Sequence, residues 1–260
     1  MGFLYETHMH TTPASACGKS TGKEHVHFYR DIGFTGIIIT DHFFRGNTGV
    51  DRSLPWEQRI DLYCRGYEEA REEGEKIGLD VFFGIEENHA GDEYLIYGLD
   101  KAFLKAHPEM EHWTRRQQLE EVHRAGGCVI QAHPFRMRRY MDRIRVGLPF
   151  CDGIEAANAG NEPLDDARAI RLGREKHLVM TAGSDNHLSP TEKIFGIELE
   201  NRLTNIGEYV RIILNHEKIG LHVPESRFDL PDPVEIDERH EAYLLDEAER
   251  EYRAPKEWID

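Results

Sequence analysis

The sequence has few cysteines, no long apolar run and no excess of basic residues, and each lack excludes a class of protein. Cys17, Cys64, Cys128 and Cys151 form no Cys-x-x-Cys pair, so neither a disulfide framework nor a thiolate zinc site is indicated. No apolar run approaches the roughly 20 residues that span a membrane. Residues 1–6 show neither the basic nor the apolar part of a signal peptide. These features predict a cytoplasmic protein with no membrane partner.

The charge of the chain is strongly acidic. It has 48 Asp and Glu residues against 32 Lys and Arg residues, and its formal net charge is -16. A chain of this charge is not expected to bind nucleic acids or anionic membranes by bulk electrostatics. A small phosphorylated substrate remains compatible with it, because bound cations can reverse the local sign.

Short β-branched or aromatic runs alternate with longer segments of helical period, which is typical of an α/β fold. Seven strands are predicted first, over residues 3–9, 36–40, 81–85, 94–97, 128–132, 153–156 and 178–182. The helices between them include a long one over 55–78, and a further strand near Ile197 and a helix over 208–218 close the core. From residue 225 the chain is rich in proline and acidic residues and then predicts a charged helix over 234–253. We expect a main domain over 1–224 and a helical extension over 225–260 that packs on it.

The first predicted strand ends in His8-Met9-His10. Residues i and i+2 of a strand point to the same side, so both imidazoles face one space and could bind a metal ion. An isolated His-x-His is also found as two ordinary polar residues where a strand leaves the core. The rest of the chain decides between the two interpretations.

Other residues that can bind metals also follow the C-terminal ends of apolar strands. The full set is His8, His10, Asp41, His42, Glu86, His133, Asp185 and His187. In α/β barrels and parallel sheets this edge carries the active site. Because unrelated surface histidines would not fall so regularly at strand ends, the sequence predicts that this set converges on one metal site.

These residues lie in five ordered motifs: His8-Met9-His10, Thr40-Asp41-His42, Gly84-Ile85-Glu86, His133-Pro134 and Ser184-Asp185-Asn186-His187. By these motifs the chain resembles the PHP family, the polymerase and histidinol phosphatase superfamily of metal-dependent phosphoesterases. The resemblance implies a distorted seven-stranded TIM-like (β/α) barrel, in agreement with the seven strands predicted above. It also implies that the set binds two or three divalent ions, bridged by Glu86. Asp41 either binds an ion or orients a ligand histidine.

Two segments depart from the family pattern. Cys17 lies where many members have an acid or a histidine, and the fourth strand, 94–97, lacks the usual histidine. The site could therefore hold two ions rather than three, or His89 could supply the missing ligand. Cys17 is an alternative ligand, although a thiolate is unusual among imidazole and carboxylate donors, which suit Zn, Mn or Fe(II).

Such a site implies a phosphoesterase that hydrolyses a small phosphomonoester or a nucleotide-type phosphodiester by means of a metal-bridging hydroxide. Asp185, His187 and Arg136 are its predicted catalytic residues. A nuclease-like use of the same cluster is an alternative that the net charge disfavours. An amidohydrolase usually needs a lysine at a strand end, and no predicted strand end has one. A non-catalytic barrel that uses metals structurally is the third alternative, and the oligomeric state is left open.

Five arginines lie close together after His133, at positions 136, 138, 139, 143 and 145. One interpretation is an amphipathic helix with solvated arginines. Arg136 is a separate case, because it lies three residues from a predicted ligand and a guanidinium can bind phosphate through two hydrogen bonds. We predict that Arg136 binds the substrate phosphate, with Lys19 and Arg45 as further candidates.

Overall fold

The structure is a computed structural model that describes residues 2–228 and 240–254. Its helices are α1 Gly22–Asp31, α2 Trp56–Tyr63, α3 Arg65–Ile77, α4 Lys101–Ala106, α5 Arg115–Arg124, α6 Pro163–Lys176 and α7 Ile206–Leu214. Its strands are β1 Phe3–Glu6, β2 Gly36–Ile39, β3 Asp80–His89, β4 Asp92–Tyr97, β5 Cys128–Gln131, β6 Ile144–Val146, β7 Gly153–Asn158, β8 Val179–Gly183, β9 Gly196–Leu199, β10 Gly220–His222, β11 Ala242–Leu245 and β12 Glu251–Arg253. Short 3-10 helices cover Pro108–His112, Leu148–Phe150 and Glu225–Phe228.

Nine strands form one barrel-like sheet in the order β10-β9-β1-β2-β3-β4-β5-β7-β8. The neighbours β1, β2 and β3 are parallel to one another, as are β5, β7 and β8, whereas β4 is antiparallel to both β3 and β5. Beyond the ends of β1 and β8, Met9 and Asn186 form a parallel bridge. This bridge nearly closes the sheet. The α/β barrel is therefore confirmed, but the sheet has nine strands, because β9 and β10 add an antiparallel pair beside β1.

Local sequence signals explain several helix ends. Thr21 and Glu24 form a capping box at the start of α1, and Thr114 and Gln117 form one at the start of α5. Helix α3 ends at Gly78, whose φ of 80° suits glycine. The predicted helix over 55–78 is divided at Cys64 into α2 and α3.

The core lies between the sheet and the helices outside it. All four residues of β2 are buried, as expected for a strand covered on both faces. Ile37 and Ile39 of this strand pack with Val26 and Tyr29 of α1 and Ala70 of α3. Burial of these apolar side chains holds the helices against the strands whose ends carry the predicted ligands. None of the helices in the described ranges is long and apolar enough to cross a membrane.

Two helices expected from the sequence are wrong: the amphipathic helix proposed for the arginine cluster after His133, and the C-terminal helix. Residues 132–143 form an irregular loop, and β6 follows it. Arg143 and Arg145 form ion pairs with Glu251 of β12, and β6 pairs in parallel with β11, so tertiary pairing replaces the helix. The same small sheet, β12-β11-β6, replaces the predicted C-terminal helix over 242–253. The first part of the predicted C-terminal helix, 234–239, lies outside the described residues, and the division into two domains stays a prediction.

Candidate metal centre

The carboxyl ends of the parallel strands meet at one end of the barrel, and the predicted ligands lie there. His8 and His10 follow β1, His42 follows β2, Glu86 lies within β3, His133 follows β5, and Asp185 and His187 follow β8. The barrel fold thus brings together residues that are up to 179 positions apart (187 minus 8) in the sequence.

Backbone hydrogen bonds fix the first histidine pair. The N–H of His10 donates to the carbonyl of Asn186 over 2.9 Å, and the N–H of Asn186 donates to the carbonyl of His8 over 3.3 Å. Glu6 joins the same two segments, because its Oε1 accepts from the N–H groups of His8 and Ser184, each over 2.9 Å. The ends of β1 and β8 are therefore held in one register, and both imidazoles are buried.

Glu86 lies at the centre of the cluster. One carboxylate oxygen, Oε1, lies 3.1 Å from Nε2 of His8 and 3.3 Å from Nε2 of His133. The other, Oε2, lies 2.5 Å from Nδ1 of His42. The two atoms form a buried ion pair, but neither makes a contact of hydrogen-bond geometry with a described residue. Buried polar atoms without a hydrogen bond are costly, and a cation bound by both side chains would compensate for this.

Among the described residues, four groups of side chains place their donor atoms within 4.8 Å of one another. They are His8, Glu86 and His133; His8, His10 and Asp185; His10, His42 and His187; and His42, Glu86 and Glu93. The groups share His8, His10, His42 and Glu86, so their donor atoms form one connected cluster. Every residue of the predicted set except Asp41 belongs to one of them.

Neighbouring polar groups orient the histidines. Nδ1 of His8 lies 3.0 Å from Oε1 of Glu155, which leaves Nε2 of His8 directed at Glu86. Ser15 donates from Oγ to Asp41 over 2.7 Å and lies 3.1 Å from Nδ1 of His10. A hydrogen bond from one ring nitrogen to such a partner sets the tautomer that presents the other nitrogen to a metal.

Asp41 lies in this supporting layer. Its Oδ1 and Oδ2 accept hydrogen bonds of 2.6 Å from the N–H and Oγ1 of Thr11. Asp41 is absent from all four groups of the described residues. The geometry agrees with the orienting role for Asp41 and not with the ligand role.

The charges of the cluster shift its pKa values strongly. Burial alone would disfavour a charged His8, but the carboxylates of Glu155, Glu86 and Asp185 raise its pKa well above the usual value. Burial also opposes ionisation of Glu86, but the charges of His42 and His8 hold its pKa well below the usual range. Burial lowers the pKa of His10 well below its usual value. The centre therefore combines carboxylates with neutral and protonated imidazoles, and metal binding would release protons from it.

Two predicted ligands have unusual backbone conformations. His133 has φ 29° and Asp185 has φ 52°, in the left-handed region that residues other than glycine seldom adopt, although Asn, Asp and His adopt it more often than the rest. Such conformations cost on the order of 1 kcal/mol or more and are concentrated at functional sites.

Arg136 is not free to bind a phosphate. Its Nη1 donates to Oδ2 of Asp185 over 2.5 Å. Its Nε donates to Asn161 and its Nη2 donates to Asn158. All three nitrogens therefore bind oxygens of the protein, and the side chain is buried behind Asp185. The geometry does not support the predicted phosphate clamp at Arg136.

Of the other predicted candidates, Arg45 and His89 contact protein groups, whereas Lys19 is exposed. Arg45 lies 3.2 Å from Glu87 and donates to the carbonyl of Trp113 over 2.7 Å. His89 lies 3.0 Å from Nη2 of Arg45 and is in none of the four groups of the described residues, so it does not supply a ligand here. The Lys19 side chain is exposed and forms no ion pair within 2–228 and 240–254.

Cys17 lies beside the cluster. Burial alone would raise the pKa of its thiol, but hydrogen bonds with His187 and His42 lower that pKa to about 6. Cys17 is half-buried and belongs to none of the groups found among the described residues.

Sequence reasoning missed Glu93 as a member of the centre. Its Oε2 lies 3.5 Å from Nε2 of His133. Strand β4 runs against its neighbours, so its first residues, rather than its last, lie at the barrel mouth. The hairpin that reverses the chain into β4 turns at Ala90-Gly91, with φ values of 57° and 112°, which is typical of an antiparallel hairpin. Gly91 between two apolar runs is the sequence signal that could have predicted this turn. Glu155 was missed as well, because nothing in its predicted strand distinguishes it from a structural polar residue.

No family model and no curated protein sequence matches the chain. Solved structures do match it. A two-domain protein from Bacteroides vulgatus, described as containing a predicted PHP-like metal-dependent phosphoesterase, has a TM-score of 0.63 and 18% identity, over 85% of this chain and 64% of that one. The chain thus spans less than two thirds of that protein. A candidate metal-dependent phosphoesterase from Bifidobacterium adolescentis has a TM-score of 0.52 and 17% identity, over 82% of this chain and 96% of that one.

An amidohydrolase from Chromobacterium violaceum, solved with bound sulfate and no metal, has a TM-score of 0.51 and 14% identity, over 80% of this chain and 96% of that one. At such identities the likeness concerns the fold. The chain therefore has the fold of proteins described as PHP-like metal-dependent phosphoesterases, which confirms at the level of the fold the resemblance carried by the five sequence motifs.

Proposed function

We propose that the chain is a metal-dependent phosphoesterase of the PHP type, whose centre around Glu86 binds two or three divalent ions. The observation that carries the proposal is the convergence of Glu86 with His8, His133 and His42, where Oε2 of Glu86 meets Nδ1 of His42 at 2.5 Å without hydrogen-bond geometry. Seven predicted ligands and Glu93 surround this point in overlapping groups. A cluster that was merely structural would be expected to satisfy its own buried donors and acceptors.

The donor set fits divalent transition metals. It consists of imidazole nitrogens and carboxylate oxygens, which suit Zn, Mn or Fe(II). His8, His10, His42, His133 and His187 would hold the ions together with Glu86, Glu93 and Asp185. When bound, such ions supply a nucleophile at neutral pH and stabilise charge on phosphoryl oxygens.

The residues of the chain orient this centre and open it on one side. Glu155 and Ser15 fix His8 and His10. The side chain of His187 is 28% exposed, more than the other predicted histidine ligands, and its Nδ1 lies 2.7 Å from the carbonyl of Asp185. His187 therefore presents Nε2 to the open side of the centre, where it would bind an ion together with His10 and His42.

The proposed substrate is a small phosphomonoester or a nucleotide-type phosphodiester. The net charge of -16 disfavours a long nucleic acid as the substrate, because such binding needs an extended basic surface. A small substrate needs only the local positive charge of the ions.

Hydrolysis of p-nitrophenyl phosphate with and without a chelator tests the proposal. We expect turnover that a chelator abolishes and that added Zn, Mn or Fe(II) restores. A matched anilide substrate tests for an amidohydrolase, and hydrolysis of the anilide alone would contradict the proposal. Absence of turnover with metal-loaded protein on this ester and on a panel of phosphorylated metabolites would contradict it as well, and would favour the non-catalytic barrel.

A further inference from the structure

The loop that follows His133, residues 134–143, carries exposed charge beside the candidate metal centre. We call it the mouth loop. Its first arginine, Arg136, is buried, and its last, Arg143, pairs with Glu251. Arg138 and Arg139 are exposed, and neither guanidinium forms an ion pair or a hydrogen bond with a residue of the described ranges. Two unpaired cations next to a cluster of carboxylates, in a chain as acidic as this one, call for an explanation.

Arg138 and Arg139 differ in where they lie. Arg138 lines a narrow cleft together with Glu93, His133 and Arg136. These three residues are buried, and the cleft has a volume of about 10 Å³. Exposed Arg138 therefore lies beside Glu93 and His133 of the candidate centre. Arg139 does not line the cleft. Of the arginines in the mouth loop, Arg138 is therefore the one that combines an unpaired guanidinium with a position beside the centre.

Tyr140 lies on the same loop. It is 69% exposed, more than any other large apolar or aromatic residue within the described ranges. Desolvation raises the pKa of its phenol to about 12, and the charges of Glu93 and Glu86 add to this effect. The phenol thus lies within the electrostatic reach of the centre while much of its ring faces solvent. An exposed tyrosine can contact a flat group at little cost in conformational entropy.

We propose that Arg138 binds a phosphoryl oxygen of the substrate at the barrel mouth and that Tyr140 contacts the organic part of the substrate. The substrate class is then a phosphoester whose organic part contains a flat ring. This inference rests on the proposed function, since it assigns the residues that bind the substrate of the same centre. It also transfers the phosphate-binding role from Arg136, whose nitrogens are all engaged, to Arg138.

The test compares Arg138→Ala with the matched control Arg139→Ala. Loss of a hydrogen bond to a charged group at an exposed position should raise KM for p-nitrophenyl phosphate about tenfold. Metal content and kcat should stay within about twofold of the wild type, because Arg138 binds no ligand residue. Arg139→Ala should change neither constant, and Arg138→Lys should restore part of the loss.

Binding of inorganic phosphate to the metal-loaded protein, measured by calorimetry, separates this inference from the proposed function. We expect Arg138→Ala to weaken phosphate binding about tenfold while Arg139→Ala leaves it unchanged. Equal phosphate affinities in the two variants would overturn the role of Arg138, even if the wild type hydrolyses phosphoesters. A wild type that binds phosphate through Arg138 without turnover would overturn the proposed function and leave the phosphate site in place.

Tyr140→Leu tests the contact with the organic group. We expect KM for an aryl phosphate to rise about fivefold while KM for glycerol phosphate stays unchanged, and Tyr140→Phe should behave as the wild type. The control is Tyr252→Leu, which changes an exposed tyrosine of β12 that does not line the cleft. Equal changes with the two substrates, or none with either, would overturn the contact and the ring-bearing substrate class.

Discussion

Arg136 donates a hydrogen bond from Nη1 to Oδ2 of Asp185 over 2.5 Å, while the other oxygen of Asp185 lies 3.0 Å from Nε2 of His10. The Asp185 side chain is only 8% exposed. One carboxylate oxygen is thus held by the protein and the other faces the histidine cluster. An anchored carboxylate of this kind is ready to bind a metal without further rearrangement. Arg136 therefore positions Asp185.

Arg136→Ala should lower metal content and stability together. Removing one partner of a buried ion pair leaves Asp185 uncompensated, which costs about 3–5 kcal/mol in such pairs. The free energy of unfolding and the metal content of the purified variant check this expectation, with exposed Arg139→Ala as the control. A variant with full metal content and full stability but a lower kcat/KM would contradict this expectation and support the prediction that Arg136 binds the substrate phosphate.

Asp185→Ala should lose metal and phosphoesterase activity together, because Asp185 joins His8 and His10 in one candidate group. Elemental analysis and the aryl phosphate assay on the same preparation check the prediction. Full metal content with normal turnover would remove Asp185 from the site.

Glu93→Gln should reduce the number of bound ions, since Glu93 supplies the carboxylate that faces His133 and joins His42 and Glu86. The matched control is Glu87→Gln, which changes a buried carboxylate next to Glu86 that lies against Arg45 instead. We expect the Glu87 variant to keep its ions. Identical metal content in the two variants would show that Glu93 is not a ligand.

Each ligand that was predicted from the sequence follows or ends an apolar run, and the strands formed by these runs all point in the same direction along the barrel. His42 after β2 and His133 after β5 are examples, and the barrel fold is enough to bring them together. Glu93 was not predicted because β4 is antiparallel to its neighbours, and the direction of a strand cannot be inferred from an apolar run alone. The positioning role of Arg136 was not predicted because its partners Asn158 and Asn161 lie 22 and 25 positions further along the chain.

The C-terminal strands could not be predicted from local pattern for a related reason. Strand β11 pairs with β6, about a hundred positions earlier, through Ala242 opposite Ile144. The charged residues around it resemble those of a solvated helix when read alone. Only the tertiary partner makes the short strand the more stable choice.

Stability should fall on acidification partly because of His89. Burial, followed by the charges of Arg45 and Arg115, lowers the pKa of His89 to about 3 in the folded protein, whereas an unfolded histidine has a pKa of about 6.5. The stabilisation from neutral His89 is therefore complete above about pH 6.5 and is lost as pH falls towards 3. Between pH 7 and pH 4.5 the unfolded state gains a proton that the folded state does not, which corresponds to about 2–3 kcal/mol.

Guanidinium unfolding of the wild type and His89→Gln at both pH values measures this contribution. The wild type should lose about 2–3 kcal/mol more than the variant on acidification, because glutamine does not titrate. Contributions that the two proteins share, including metal release, cancel in the difference. Parallel losses would mean that His89 is charged in the folded protein.

The metal content of the protein purified without chelators tests the central claim most directly. The convergence of Glu86 with histidines from three other strand ends predicts at least two equivalents of transition metal per chain, measured by elemental analysis against protein concentration. A value below one equivalent, unchanged after incubation with Zn, Mn or Fe(II), would contradict the account.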